Sequence, residues 1–308
     1  PPPDPQTKAT RSPSNTTGSI RQYIPGRKLG EIWGYETIGI AQSQEEMDAH
    51  LDRLDQNYLD KYGHFPSELR QGQSALGSGW GAGDIMYADL NGDGRISTGD
   101  STIDNHGDLK VIGNSTPRFH FGIDLNFAWK GVDLRLFFQG VMKRDYWQSS
   151  SYFWGANTEP EWSAALVQHL DFYRDENSLL VQKGIMGVNR DAYYPRPSFD
   201  RGGEGNGSSG RNHQVQTRYL QNAAYIRLKN LQIGYTLPEK WTKPLKIERL
   251  RAYFSAENIL TGTKLAKMFD PETIDGGNNN SEKDWRTYNN GNAYPLSTQL
   301  SCGLSITF

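Results

Sequence analysis

The last stretch of the chain alternates apolar and small polar residues without a break. Leu296, Thr298, Leu300, Cys302, Leu304, Ile306 and Phe308 share one parity, and Ser297, Gln299, Ser301, Gly303, Ser305 and Thr307 share the other. A period of two puts successive side chains on opposite faces of an extended strand, so one face is oily and the other wet. The same pattern runs through Phe119, Phe121, Ile123, Leu125, Phe127 and Trp129, interleaved with His120, Gly122, Asp124, Asn126 and Ala128. The 11 residues from Phe119 to Trp129 match the ~9–11 a tilted strand needs to cross a bilayer.

The pattern predicts strands at about 119–129, 132–142, 221–237, 249–260 and 295–308. Lys130 and Gly131 turn the first into the second, where Val132, Leu134, Leu136 and Phe138 face one way and Asp133, Arg135 and Gln139 the other; Phe137 is the exception. In the third, Leu231, Ile233, Tyr235 and Leu237 share a side, but Arg227 and Lys229 fall in the same register, which predicts a bulge. The fourth alternates Leu250, Ala252, Phe254 and Ala256 with Arg251, Tyr253, Ser255 and Glu257. Connections are alternately short (130–131, 238–249) and long (143–218, 261–294), the asymmetry of a barrel with tight turns at one end. Compact soluble domains rarely hold structureless loops beyond ~12–15 residues.

The predicted fold class is all-β: the C-terminal portion of a transmembrane antiparallel β-barrel, with long extracellular loops containing short helices. Residues 1–18 read as a tail or cut end, and 19–308 as barrel strands and loops, the loops at about 41–116, 143–218 and 261–294. Five or six strands cannot close a wide barrel, and an open sheet edge in lipid costs several kcal/mol per unpaired group, so the remaining strands are expected upstream.

Composition agrees. Among 308 residues, hydrophobic types make up 35% and mean hydropathy is −0.72, yet aromatics reach 12% and net charge is only −2. That excludes a disordered chain, and the lack of a Lys/Arg block excludes a nucleic-acid partner. No apolar run nears the ~20 residues of a membrane helix, a scan that barrels escape because their residues alternate. Cys302 is the only cysteine, so no internal disulfide or CxxC site exists. One helix is predicted, opened by Ser43 and Glu46 as a capping box and carrying Met47, Leu51, Leu54 and Tyr58 on one face over about four turns.

The strongest local motif runs from Asp89 to Asp100. It matches D-x-[DN]-x-[DN]-G-x5-E with Asp at the last place. Asp89, Asn91, Asp93 and Asp100 would supply side-chain oxygens, Arg95 its carbonyl and Ser97 a water-mediated contact to a structural Ca²⁺, with Gly94 allowing the sharp turn. The shorter Asp100 reaches an ion less readily in bidentate fashion. The bland alternative is an Asx-turn loop that caps its own backbone.

Aromatics crowd the long connection at 143–218, where Trp154 and Trp162 are the candidate ligand or partner contacts. Rings there equally fix loops on each other. Catalytic arrangements are missing: the six histidines form no HExxH pattern, no GxSxG elbow occurs, and the GxGxxG match at 205–210 lies in a Gly/Ser-rich loop. The chain is not expected to be an enzyme.

Four segments carry a family resemblance: Gly83 to Gly94, Gly113 to Gly122, Tyr225 to Pro238, and Tyr294 through Phe308. Arg251 to Leu260 and Gly34 to Glu46 also fit. Together, from about residue 20, the chain resembles the C-terminal third of SusC/RagA-type TonB-dependent outer-membrane transporters of Bacteroidetes. The resemblance implies a 22-stranded barrel in the bacterial outer membrane, whose plug contacts the TonB complex and lies outside this chain. It also implies a SusD-like surface lipoprotein partner, import of oligosaccharides or peptides, and Phe308 as part of the barrel-assembly signal. Two other readings stay open: a secreted soluble β-rich glycan-binding or glycan-active protein with a structural calcium loop, and a barrel for adhesion without transport.

Overall fold

The computed structural model describes residue 20 and residues 26–148, 151–155, 165–197, 211–274 and 295–308, and the chain divides into two compact units. One unit draws on the residues up to 114 and on 147–220; the other on 115–146 and 221–308.

In the first unit the elements are β1 (Glu31–Tyr35), β2 (Thr37–Ile40), α1 (Gln44–Tyr62), β3 (Ile85–Tyr87) and β4 (Leu109–Asn114). Helix α1 starts where the sequence predicts. The Ser43 hydroxyl accepts the Glu46 N–H at 3.2 Å, and the Glu46 carboxylate accepts the Gln42 N–H at 2.6 Å. Glu45 and Glu46 also place negative charge on the first turn, which the helix dipole favours. The helix runs 19 residues, about one turn beyond expectation, and stops at Gly63, whose φ of 76° returns its N–H to the Leu59 carbonyl. Met47, Leu51 and Leu54 are buried as a row.

Strand β1 pairs antiparallel with β4, Glu31 opposite Asn114 and Tyr35 opposite Leu109, while β2 pairs with β3. The stretch 62–116 that reads as loop in the sequence therefore holds two short strands. Isolated two-stranded ladders are marginal in water, so packing must hold these two. The packing is present: Tyr35, Met47, Leu54, Ile85, Tyr87 and Ile96 are all fully buried, as are Phe153 and Tyr219 from the later segment.

The second unit contains β5 (Arg118–Trp129), β6 (Val132–Lys143), a short pair β7 (Asp145–Tyr146) and β8 (Gln221–Asn222), then β9 (Tyr225–Thr236), β10 (Arg249–Thr263) and β11 (Gln299–Thr307). The five long strands form one antiparallel sheet in the order β11-β10-β9-β6-β5. Lys130 (φ 49°) and Gly131 (φ 86°) make the two-residue turn between β5 and β6, both in the left-handed region that a right-twisting hairpin needs. Strand boundaries fall within a few residues of those predicted; the last strand begins at Gln299 rather than 295. The connections β6–β9 and β10–β11, both long, leave the sheet from the same end, and β5 and β11 are edge strands within it.

Candidate functional site

Register decides which side chains share a face. Trp129, Phe127, Leu125 and Ile123 lie opposite Val132, Leu134, Leu136 and Phe138, and Val132, Leu134 and Leu136 lie opposite Tyr235, Ile233 and Leu231. Those three pair with Ala252, Phe254 and Ala256, which pair in turn with Leu304, Cys302 and Leu300. One apolar face thus runs unbroken across all five strands. Many of its side chains are exposed, with Trp129 at 72% and Leu304 at 70%. In water each exposed apolar Å² forgoes roughly 25 cal/mol, and soluble monomers rarely leave a contiguous oily area beyond a few hundred Å². Hydrocarbon removes that cost.

The reverse face is polar. Asp124 pairs with Arg135 at 2.7 Å across β5 and β6. Asp133 on β6 pairs with Arg251 on β10, spanning the intervening β9 over Gly234. A Cβ at Gly234 would sit 2.5 Å from the Arg251 guanidinium and 2.6 Å from the Asp133 carboxylate, so the bare backbone makes room for the bridge. Phe137, the exception to the alternation, lies on this polar face beside Gly122: a Cβ on that glycine would meet the ring at 3.4 Å. The expected bulge is present. Phe137 pairs with Asn230 and Phe138 with Leu228, so Lys229 is skipped, and Arg227 then pairs with Gln139 on the polar face.

The turn end of the sheet carries amphipathic rings. The Lys130 ammonium lies 4.7 Å over the Trp129 ring, and Lys240 lies 5.9 Å over Trp241 in the β9–β10 connection. Trp, Tyr and Lys are the residue types that anchor at a membrane–water boundary. Phe308, just past β11, is exposed.

In the first unit, the acidic loop folds as a cascade of Asx turns. Asp89 accepts the N–H groups of Gly92 (2.7 Å), Asp93 (3.2 Å) and Gly94 (2.8 Å), Asn91 accepts that of Asp93 (2.8 Å), and Asp93 that of Arg95 (2.8 Å). The loop is docked on α1: Asn57 donates to Asp89, and the Lys61 ammonium donates to the Asn91 carbonyl. Asp100 turns away and accepts from Asn105 at 2.8 Å, while the Ser97 hydroxyl accepts the Gly99 N–H. Among the described residues no three acidic, His or Cys side chains converge as metal ligands. Asp108, which the sequence reading missed, closes the loop's base by accepting the Leu90 N–H (2.8 Å) and the Ser97 N–H (2.9 Å). Burial, and then the nearby Asp89 and Asp93 charges, push its carboxyl up to about 6 against the amide bonds that pull it down.

Trp154 is buried. Its indole N–H donates to the Gln148 carbonyl at 3.1 Å, and its ring stacks on His213 at 4.3 Å and meets Tyr219 at 4.8 Å. It packs in a cluster with Phe153, Tyr193, Tyr194 and Tyr219. Burial raises the Tyr194 and Tyr219 phenols, as it should for rings inside an apolar cluster. Trp162 lies outside the described residues.

Sequence and structure comparisons follow the same line. No family model matches the chain. TonB-dependent receptor P3 of Formosa agariphila is 26% identical over 283 residues, covering 92% of this chain and 22% of the receptor. TonB-dependent receptor P26 of the same organism is 24% identical, covering 95% of this chain and 24% of the receptor. The chain therefore spans about a quarter of the length of the relatives it matches. Among solved structures, the RagAB peptide importer in its open-open state superposes with a TM-score of 0.51 at 19% identity, over 93% of this chain and 24% of that one. Its closed-closed state gives 0.51 at 18% identity. These proteins are receptors and importers by name, not enzymes.

Proposed function

We propose that this chain, a segment of a SusC/RagA-type TonB-dependent transporter, forms part of the lipid-facing wall and outer loops of a bacterial outer-membrane importer. The observation that carries the reading is the exposed apolar face continuous over five strands, backed by a polar face bridged with ion pairs. A secreted soluble module would have to cover that face with a second sheet. In the importer, lipid covers the apolar side and water the polar side, and strands of the longer parent protein satisfy the edges of β5 and β11. Energy would enter through a TonB-contacting plug elsewhere in the parent, so this segment positions and encloses cargo but does not drive it.

The substrate class is an oligosaccharide or a peptide, taken up with a SusD-like lipoprotein seated on the outer loops. The names of the structural neighbours, a peptide importer and a peptide transporter, support the peptide half of this reading. The discriminating measurement is tryptophan quenching by lipid-attached quenchers in vesicles containing the parent protein. Trp129 and Trp241 should be quenched near headgroup depth. Replacing both with Phe should remove that signal, and an unquenched parent recovered from the soluble fraction would sink the reading.

The acidic loop is proposed as a structural Ca²⁺ site. Asn91 and Asp93 fit a hard cation, because each of their oxygens accepts a single N–H and keeps a second lone pair, whereas Asp89, whose two oxygens each accept two N–H groups, would have to give up bonds to the ion. Arg95 would add its carbonyl and Ser97 a water-mediated contact, whereas Asp100 would have to leave Asn105. Asp93→Ala should weaken Ca²⁺ binding in calorimetry and raise protease cutting between residues 84 and 108. Equal binding by variant and parent would remove the assignment.

A further inference from the structure

The polar face of the sheet carries an ion cluster that the wall itself does not need. Arg227, placed there by the bulge at Lys229, is almost wholly buried, yet it is charged. Its Nε donates to the Thr261 hydroxyl at 2.7 Å, one terminal nitrogen donates to Asp270 at 2.8 Å, and the other lies 3.1 Å from Glu272. Lys229 completes the group, its ammonium 2.8 Å from Glu272. Two cations and two carboxylates cancel, which is the condition under which such charges tolerate burial.

Both carboxylates come from one segment, the stretch that follows β10. That stretch folds back with Leu265, Phe269 and Ile274 buried. Further bonds tie it down: the Ala266 N–H donates to the Gln221 side chain at 3.3 Å, the Arg144 guanidinium donates to the Ile274 carbonyl at 3.0 Å, and Asp270 accepts the Leu296 N–H at 3.2 Å on the way into β11.

We propose that residues 264–274 are an inward-folded strap on the water-filled side of the wall, and that Arg227, Lys229, Asp270 and Glu272 are the latch that holds it there. The proposal rests on the barrel reading for which side is water. The apolar residues give the strap a reason to collapse onto something, and the ion cluster chooses where. Removing Arg227 leaves two carboxylates against a low-dielectric surface with only Lys229 to answer them, so the strap must release to hydrate them. The Asp124–Arg135 pair on the same face is half-exposed and holds no segment, so its loss should release nothing.

The test uses the full-length parent in outer-membrane vesicles, with Cys302→Ser and a reporter Leu265→Cys, and a water-soluble maleimide as the probe. Labelling should be slow in that background and roughly tenfold faster after Arg227→Gln, as expected when a buried ion cluster loses its central partner. Asp270→Asn with Glu272→Gln should act alike, and Arg135→Gln should leave the rate unchanged. Equal rates for Arg227→Gln and Arg135→Gln overturn the latch. If Arg227→Gln does not insert, Lys229→Gln at the more exposed end of the cluster should still raise the rate, and no rise there overturns it too. Native Cys302 separates the two readings. In the unsubstituted parent it should react with a lipid-soluble maleimide and resist the water-soluble one. If it reacts with the water-soluble reagent the wall reading fails, whereas a shielded Cys302 with an unmoved strap defeats the latch alone.

Discussion

The two units solve opposite problems with one chain. In the first, apolar side chains point at each other: Met47, Leu54, Ile85 and Tyr87 are sealed, and helix α1 turns most of its charges outward, with Asp55 buried against the Arg70 N–H. In the second, the apolar side chains of five strands point away from the protein, and the charged ones hold hands across the reverse face. The first unit is built as a protein in water is built, around a core. The second is built on a sheet with an oily and a wet face, with buried apolar residues mainly where the stretch after β10 folds back, so its stability depends on having a different solvent on each side. Composition alone averages the two and reveals neither.

Breaking the first unit should take one buried charge. Asp84 is fully buried and holds Arg196 (2.8 Å), Arg211 (2.9 Å) and Asn212 (2.9 Å), joining the β3 region to the residues near 196 and 211. Asp84→Ala removes from the core the carboxylate that Arg196, Arg211 and Asn212 share and is expected to cost about 3–5 kcal/mol. Limited proteolysis of the parent should then cut the first unit while the sheet keeps its heat-modifiable gel mobility. Loss of both together would mean that the units do not behave independently.

The second unit should break from the opposite kind of change. Ile233→Arg puts a charge on the exposed apolar face of the central strand and should cost about 2–4 kcal/mol if that face lies near the bilayer midplane, measured as loss of the folded band in membranes. Gln232→Arg, one residue away on the polar face, should stay within about 0.5 kcal/mol. Equal penalties for the neighbours would deny the two-solvent description.

A smaller effect separates the units by pH. His50 is buried in α1 beside the Gln73 side chain, and burial lowers its pKa below the ordinary 6.5. The unfolded chain therefore binds a proton that the folded one resists, so the contribution of His50 to stability is full above about 6.5 and is lost as pH falls below it. His50→Gln should flatten that slope in urea unfolding of the first unit. An unchanged slope would place the pH dependence elsewhere.

Much of the sheet was legible because a strand's period is local. Alternation in 119–129 and 296–308 assigns faces without knowing any partner, and Arg227 in an oily register announces its bulge. What stayed hidden depends on distant pairing. Nothing near Glu31 reveals that it pairs with Asn114, and Phe137 looked like an error until Gly122 was found beneath it. Asp84 has no motif, and three of its side-chain partners lie more than a hundred residues away, beside the local Gly81 N–H. Trp154 stood in the sequence as a candidate contact because a run of aromatics does not say which rings pack on each other, and the structure sets it in an aromatic cluster within the connection. The acidic loop was legible as a turn, because Asx geometry is local, and its Asp108 was not, because that residue arrives from outside the motif.

The bulge at Lys229 bears on how such a strand tolerates insertions and deletions. On its β8-proximal side, Ile226 and Leu228 share the oily face while Tyr225 and Arg227 take the other. Deleting Lys229, the skipped residue, would let Leu228 and Asn230 follow each other in the ladder with their present partners, so Arg227 would keep the polar face and Ile226 the oily one. Deleting a paired residue such as Gln232, with no bulge to absorb the change, would instead turn every residue on one side of it by half a turn and exchange the environments of a half-strand. Selection should therefore permit a lost residue in the long connections and at this one bulge, and scarcely at all elsewhere in the strand.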